Sequence, residues 1–320
     1  MPTHAHAVAD VCSAFALFAA FVIERCAAIS QRVVADYNED MAVFELAHAE
    51  LETLLEQHRR HVELQEARAA KATFGRERLT EARTQADHVL HFLFNEPVTT
   101  PVGEFLAQPW RHHLVQTLLR DGAGSAPHTE ALALGDALLD ADRLARTGRD
   151  GRRLADRLVT LQDVIANCLA SSGLDEDVAK QRLADLIRAL ANPDAPRNLQ
   201  PMPAPAVDEE PVDEVVLWLA GGTDSVKHDP EVATRMRRLL PGEWLRLLDP
   251  NGQAVAVKVA WISPLTGRFL LVNRRGLRVL VASAADLAAL AQAERLQVGA
   301  ERAPTDEAMR HLRDRLAHAA

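Results

Sequence analysis

The chain reads as mainly α with one small β-barrel towards its C-terminus. Three observations carry that reading. Apolar residues recur every three or four positions through most of the first 190 residues, six prolines fall in the twenty residues from Asn192 to Pro211, and a period of two is confined to Leu240–Val281. The expected organisation is an all-helical region over residues 1–191, a helical bundle or coiled coil. A proline-rich acidic linker follows over 192–211, and a barrel module with flanking helices over 212–320.

At the N-terminus, Val11–Ile23 is apolar apart from Ser13. Its thirteen residues fall short of the roughly 20 that a membrane span needs, Glu24-Arg25 ends it, and Met1–Asp10 lacks the Lys or Arg of a signal peptide. A buried helix continuing through Ile29, Val33 and Tyr37 is expected, with no membrane span. If Met1 stands inside a longer protein, Phe15, Phe18 and Phe21 once packed on residues that precede it. From Asn38 to Asn95, Phe44, Ala47, Leu51, Leu54, His58 and Val62 form a helical stripe that thins between Gln65 and Arg78 and resumes at Leu79. One projecting helix fits this pattern, and so do two antiparallel arms bent at Gly75. Helices are expected at Val102–Leu119, Thr129–Arg146, Arg152–Ser171 and Asp175–Leu190, divided by glycine-containing turns. Proline removes donors and fixes φ, so Asn192–Pro211 propagates neither helix nor sheet, and Asp208, Glu209, Glu210, Asp213 and Glu214 keep it solvated.

Beyond the linker, Leu245 and Leu247 alternate with Trp244, Arg246 and Leu248. Val255, Val257, Val259 and Trp261 are expected on one face of a second strand. Asp249-Pro250-Asn251-Gly252 suits the tight turn between them. Ser263–Gly267 and Asn273–Gly276 turn the chain into strands at Arg268–Val272 and Leu277–Val281, and a helix over Ser283–Leu296 closes the module.

Composition narrows function more than it assigns it. At 48% hydrophobic and 25% charged the chain is an ordinary globular protein, and its formal charge of −9 argues against nucleic-acid binding by the chain as a whole. Cys12, Cys26 and Cys168 are odd in number and widely spaced, which fits a reducing, cytoplasmic setting and no disulfide framework. Thirteen histidines produce chance pairs, His58/His61 and His88/His91 among them. The lone E-x-x-H, Glu45 to His48, lacks the second motif a di-iron bundle needs. Ala220–Ser225 lacks the Lys of a phosphate loop. No metal, cofactor or catalytic set is indicated, so the expectation is a non-enzymatic protein.

Two stretches carry a resemblance. Trp261–Gly276, W-I-S-P-L-T-G-R-F-L-L-V-N-R-R-G, and Phe105–Arg111, F-L-A-Q-P-W-R, resemble an uncharacterised bacterial family, domain of unknown function 1631. Its members are usually longer at the N-terminus, so the resemblance is to their C-terminal part. The barrel is also similar to PilZ modules, which bind cyclic di-GMP through R-x-x-x-R and [DN]-x-S-x-x-G. Here Arg235, Arg237 and Arg238 have a different spacing, Ser263 and Gly267 stand one residue too far apart, and Trp261 replaces the Asp or Asn.

Between Thr234 and Ala282 nine basic residues face two acidic ones, a local charge of +7. Guanidinium groups bind phosphate bidentately. The reading is therefore a regulatory or adaptor protein of bacterial signalling, with a degenerate PilZ-like module that takes a nucleotide or a protein. Arg235, Arg238, Ser263, Gly267, Arg274 and Arg275 are its candidate ligand-binding residues. The alternative is an RNA-binding small barrel, against which stands the shortage of aromatics, Trp244, Trp261 and Phe269, all expected in the core. The helical region is expected to self-associate or bind a protein partner.

Overall fold

A computed structural model describes residues 24–36, 42–93, 97–192, 197–200, 229–248 and 252–299. The apolar run Val11–Ile23, the acidic run 208–214, Ala220–Ser225 and the Asp249–Asn251 part of the first hairpin turn lie outside them. Helix α1 spans 24–36 and α2 spans Ala42–Leu93 without a break, so the stripe belongs to one helix. Gly75 does not bend it. A lone glycine weakens a helix by only about 1 kcal/mol, and ion pairs such as Arg60 Nε to Glu56 Oε1 at 3.0 Å support its exposed face.

The chain gathers into two compact units. One holds Ala72–Glu214 together with the turn residues Pro264–Thr266, and the other holds Met1–Lys71 and the remainder from Val215 onward. The helical region is thus shared between them, with Lys71 and Ala72 of α2 on either side of the division.

In the first unit, β1 (Val98–Thr99) leads into α3 (Thr100–Phe105), a π-helical turn (Leu106–Trp110), α4 (Arg111–Asp121), α5 (Ala126–Thr147), α6 (Gly151–Ser171) and α7 (Glu176–Ala191). Ser125 and Asp150 cap α5 and α6 by accepting from the His128 and Arg153 amides. Consecutive helices α4 to α7 pack on one another over Leu114, Leu134, Leu138, Leu158, Leu161 and Ile165. The F-L-A-Q-P-W-R stretch serves this core. Pro109 has no amide to give to an α-helical ladder and sits in the π-helical turn, and Trp110, fully buried, donates Nε1–H to the Ala131 carbonyl at 2.7 Å. Its ring lies so close to Gly135 that any Cβ there would overlap it. Arg111 grips Asp87 of α2 in a fork, Nε to Oδ1 at 2.5 Å and Nη2 to Oδ2 at 2.8 Å.

Part of the stretch expected as open linker is ordered. Residues Leu199–Gln200 form β2, antiparallel to β1, and the Asn198 carbonyl accepts from the Thr100 amide at 3.2 Å. Arg197 supplies donors to the last carbonyls of α7, reaching Ala189 at 2.5 Å and Asn192 at 2.9 Å. No proline falls in 197–200, which is why these four residues can pair. Asp142, fully buried on α5, holds the partner strand: it accepts from Thr99 Oγ1 at 2.5 Å and pairs with Arg146 Nε at 3.2 Å.

In the second unit, α1 meets α2 through the Arg32–Glu50 bond, and Ile29 and Ala47 are buried. The C-terminal module consists of α8 (Pro230–Met236), β3 (Trp244–Leu248), β4 (Ala254–Ile262), β5 (Phe269–Asn273), β6 (Arg278–Ala282), α9 (Ala284–Gln292) and β7 (Leu296–Val298). The strands form one antiparallel sheet in the order β6-β5-β4-β3-β7. Bulges in β4–β5 and β5–β6 give it the barrel-like twist that the period of two implies. Leu245, Leu247, Val257, Val259, Phe269, Leu271 and Leu280 point to the inner core, covered by Ala233 and Met236 of α8 and by Leu287 and Leu290 of α9.

Two expectations are corrected here. The last helix ends at Gln292 rather than Leu296, because Glu294 takes φ 57° and the chain returns as β7 on the β3 edge. Trp261 does not share a face with Val257 and Val259. The β4 bulge between Val259 and Trp261 shifts the register, so that Trp261 pairs with Leu270 on the opposite face.

Candidate functional site

The opposite, outer face of the module's sheet carries the most specific geometry in this unit. Its residues follow from the register: Lys258 lies between Trp244 and Val272 on neighbouring strands, and Leu270 lies beside Trp261. Leu270 and Val272 are both fully buried although neither belongs to the inner core. Helix α2 meets the module beside them at two points. Lys258 Nζ reaches Glu66 Oε1 at 2.5 Å, with both side chains largely shielded from water. Gly276 is buried against the α2 backbone, where a Cβ would stand 2.6 Å from the Val62 carbonyl oxygen.

The turn that delivers Gly276 is built by Asn273. Its carbonyl accepts the Gly276 amide at 2.9 Å, and its side-chain Oδ1 accepts the Arg275 and Leu277 amides at 2.9 and 3.1 Å. The φ of +75° at Gly276 is one that other residues rarely adopt. Asn-Arg-Arg-Gly is therefore a turn whose glycine is fixed twice, by conformation and by the approach of α2.

Along α2 from that contact, a groove of about 740 Å³ opens between the helix and the sheet. The helix contributes Glu52, Leu55, Glu56, His58, Arg59, Val62 and Glu63, and the module contributes Lys258 and Arg274. Leu55 stays 59% exposed within it. The helix wall carries three carboxylates against one guanidinium, whereas both sheet residues are cationic.

Of the residues selected from sequence, Arg274 alone lines this groove. Arg275 is exposed in the same turn. Arg235 and Arg238 are exposed at the end of α8, in the helical layer over the inner face of the sheet, so they are set on the other side of it from Arg274. Ser263 is 3% exposed and Gly267 exposed, joined in one turn by the Gly267 amide to the Ser263 carbonyl at 3.0 Å. Phe269 is core as expected, but Trp244 and Trp261 are half-buried on the outer face. Sequence reading passed over Lys258, although a lone charge between Val257 and Val259 in an apolar strand marks an outward position. The α2 residues Glu52, Leu55 and Glu63 had no such local mark.

Elsewhere the chemistry-bearing groups serve structure. In the helical unit Ser171 Oγ donates to the Cys168 carbonyl at 2.7 Å, which commits its proton, and His113 Nδ1 sits 2.7 Å from the same oxygen. Burial first, then Arg120, His112 and His128, hold the His113 pKa below its ordinary value. Burial pushes the Cys168 thiol up to about 12, leaving it an unreactive core residue. Among the described residues no group of three or more His, Cys, Asp or Glu is placed to hold a metal, and no helix is long and apolar enough to cross a membrane. Glu45 and His48 of the E-x-x-H are both exposed on α2.

Comparison with known families follows this division. Residues 72–187 match "Protein of unknown function (DUF1631) third domain", and residues 231–299 match the "C-terminal tudor domain" of the same family. The chain belongs to the DUF1631 family. The first match takes in the F-L-A-Q-P-W-R stretch and the helices α4 to α6, and the second takes in α8 through β7. The DUF1631 module is thus matched as a tudor domain, and the PilZ resemblance rests on its layout alone. No curated protein and no solved structure matches the chain.

Proposed function

We propose that this DUF1631 protein is a non-enzymatic adaptor or regulatory protein that takes a protein partner on its tudor-type module, with α2 as the second wall of the site. The groove carries the reading: a lining that combines an exposed leucine, Leu55, and Val62 with charged residues from both helix and sheet suits a polypeptide contact of mixed apolar and polar character. The apolar stripe from Phe44 to Val62 motivates self-association through the helical region as a second route to partners. A nucleotide is the second reading, favoured by Arg246, paired with the small Ala256 on the outer face, and by Arg274 in the groove lining. Because Arg235 and Arg238 belong to the opposite layer, they do not join Arg274 around one phosphate. A cytoplasmic location is part of the proposal.

Photo-crosslinking tests the protein reading. A photoreactive amino acid at position 55 of the full chain should give a discrete adduct in host cells, and one at Glu231 on the helical layer should not. An adduct of twice the chain mass identifies a second copy as the partner. No adduct at 55, or equal adducts at both positions, would reject the groove as the protein site.

A further inference from the structure

We infer that the corner where α4 meets the start of α5 and the end of α6 is an acid-sensitive joint, in which His113 and His128 take up protons as a coupled pair. Both imidazoles are held by the same device. Ser171 Oγ gives its proton to the Cys168 carbonyl at 2.7 Å, and Thr117 Oγ1 gives its own to the Leu114 carbonyl at 3.0 Å. Each hydroxyl then has only lone pairs left for the ring that meets it, Ser171 for His113 Nδ1 at 2.7 Å and Thr117 for His128 Nδ1 at 3.1 Å. Both rings therefore donate from Nδ1, and Nε2 is the basic nitrogen in each. Among the described residues neither ring is paired with a carboxylate.

The two rings are neighbours. His113 and Thr117 stand four residues apart on α4, one turn or about 6 Å of rise, and His128 is bonded to the second of them, so a proton on His128 is felt at His113. The surroundings add cations. His112 and Arg120 of α4 also press on His113, and Arg78 of α2 donates to the Leu119 carbonyl at 2.7 Å. The carboxylates nearest in the chain are engaged or turned to water: Asp121 is held by Arg120 at 3.0 Å, Glu176 beyond the end of α6 by Lys180 at 2.6 Å, and Glu130 of α5 is exposed. Burial holds both pKa values below the ordinary 6.5, with the neighbouring cations adding to it at His113.

Above about pH 6.5 both rings are neutral and the corner is intact. As pH falls towards the folded pKa values, the opened chain binds more protons than the closed one, so acid favours opening. The rings sit on α4 and at the start of α5, and one is tied to the end of α6, so proton uptake loosens these three places together. The far ends of α5 and α6, at Thr147–Arg153, carry neither ring.

The test uses the full chain. Imidazole NMR from pH 8 to 5 should show His113 and His128, assigned through His113→Gln and His128→Gln, both titrating below pH 6.5, and each substitution should raise the midpoint of the ring that remains. Over the same range hydrogen exchange, corrected for its own pH dependence, should speed up at least about threefold at Val115–Leu119 and Cys168–Ser172, clearly less at Thr147–Arg153, and not at all in the double variant. Midpoints at or above the ordinary value, or midpoints indifferent to the other substitution, would overturn the inference by showing two separate groups. Equal acceleration at Thr147–Arg153 would overturn it as general acid unfolding, and acceleration that persists in the double variant would place the response elsewhere. Should the double variant not fold, the titration of the wild-type chain and the single variants decides.

Discussion

Replacing Gly276 by Ala isolates the contact between α2 and the module. Two terms oppose the change. The φ of +75° penalises any side chain by about 1–2 kcal/mol. The new methyl would then lie 2.6 Å from the Val62 oxygen, 3.1 Å from Gln65 Cβ and 3.2 Å from Glu66 Cγ, so α2 must retreat by roughly 0.5–1 Å, which forfeits a quarter to a half of the local dispersion energy. The carbonyl is backbone and cannot swing aside. Overpacking of this kind costs about 1–3 kcal/mol, for a total of about 2–5. Gly267→Ala is the control, since Gly267 has φ +69° and nothing within 4 Å of its Cβ position, and so carries the conformational term alone. Native-state hydrogen exchange of the segment around Val62–Glu66 reads the difference. Exchange there should rise in Gly276→Ala beyond the control by about 5- to 150-fold, the equivalent of 1–3 kcal/mol. Equal effects of the two substitutions would show that α2 does not bear on the turn, and the groove would lose its second wall.

Three further outcomes are expected. Gly135→Ala should lower the unfolding midpoint of the helical unit by an amount equivalent to about 1–3 kcal/mol, and adding Trp110→Leu should recover part of that loss, because the clash is with the indole ring. Asp142→Ala should cost about 3–5 kcal/mol by leaving Arg146 without its buried partner, and should raise exchange at Val98–Thr100 and at Leu199–Gln200 together; loss at β1 alone would contradict the coupling through the β1–β2 pair. Acid should weaken the helical unit through His113. Its folded pKa lies below its ordinary value of 6.5, so the unfolded chain binds more protons as pH drops past that value. The stability it contributes is intact above about pH 6.5 and is lost on the way down to the folded pKa. His113→Gln should flatten that limb in thermal unfolding from pH 7 to 5, and an unchanged limb would assign it to other groups.

What could be read in the chain follows how local each feature is. Helices α6 and α7 were legible to within a residue and α5 to within three, because their apolar stripes lie within the segments themselves; the caps Ser125 and Asp150, read only as turn residues, set the true starts of α5 and α6. The continuity of α2 was not legible, since a thin stripe and one glycine are compatible with both a bend and a straight run. Strand β7 has three residues and exists by pairing with β3, and α8 has seven residues and is held by Ala233 and Met236 in the inner core. Such short elements owe their conformation to tertiary contacts that no local pattern announces. The Trp261 error has the same root. Parity along β4 was read correctly up to Val259, and one inserted residue reversed it.

The signature stretches show why recognising a family did not locate a site. In F-L-A-Q-P-W-R, Trp110 fits Gly135 and Arg111 holds Asp87; in W-I-S-P-L-T-G-R-F-L-L-V-N-R-R-G, Ser263 and Gly267 close one turn and Asn273 builds another that seats Gly276 on α2. These are constraints of folding, and a motif built of them is specific in wording without naming any chemistry. The groove is assembled differently. Glu52 and Arg274 lie far apart in the chain, and each is an unremarkable surface charge where it stands. Counting arginines drew attention to the module's basic patch as a whole, but the sheet distributes that patch over two faces, and only the face that meets α2 gains an opposing wall of carboxylates. The make-up of the groove's lining therefore follows from which helix the module packs against. That pairing is long-range, and it depends on a glycine whose role is visible only once Val62 is seen beside it.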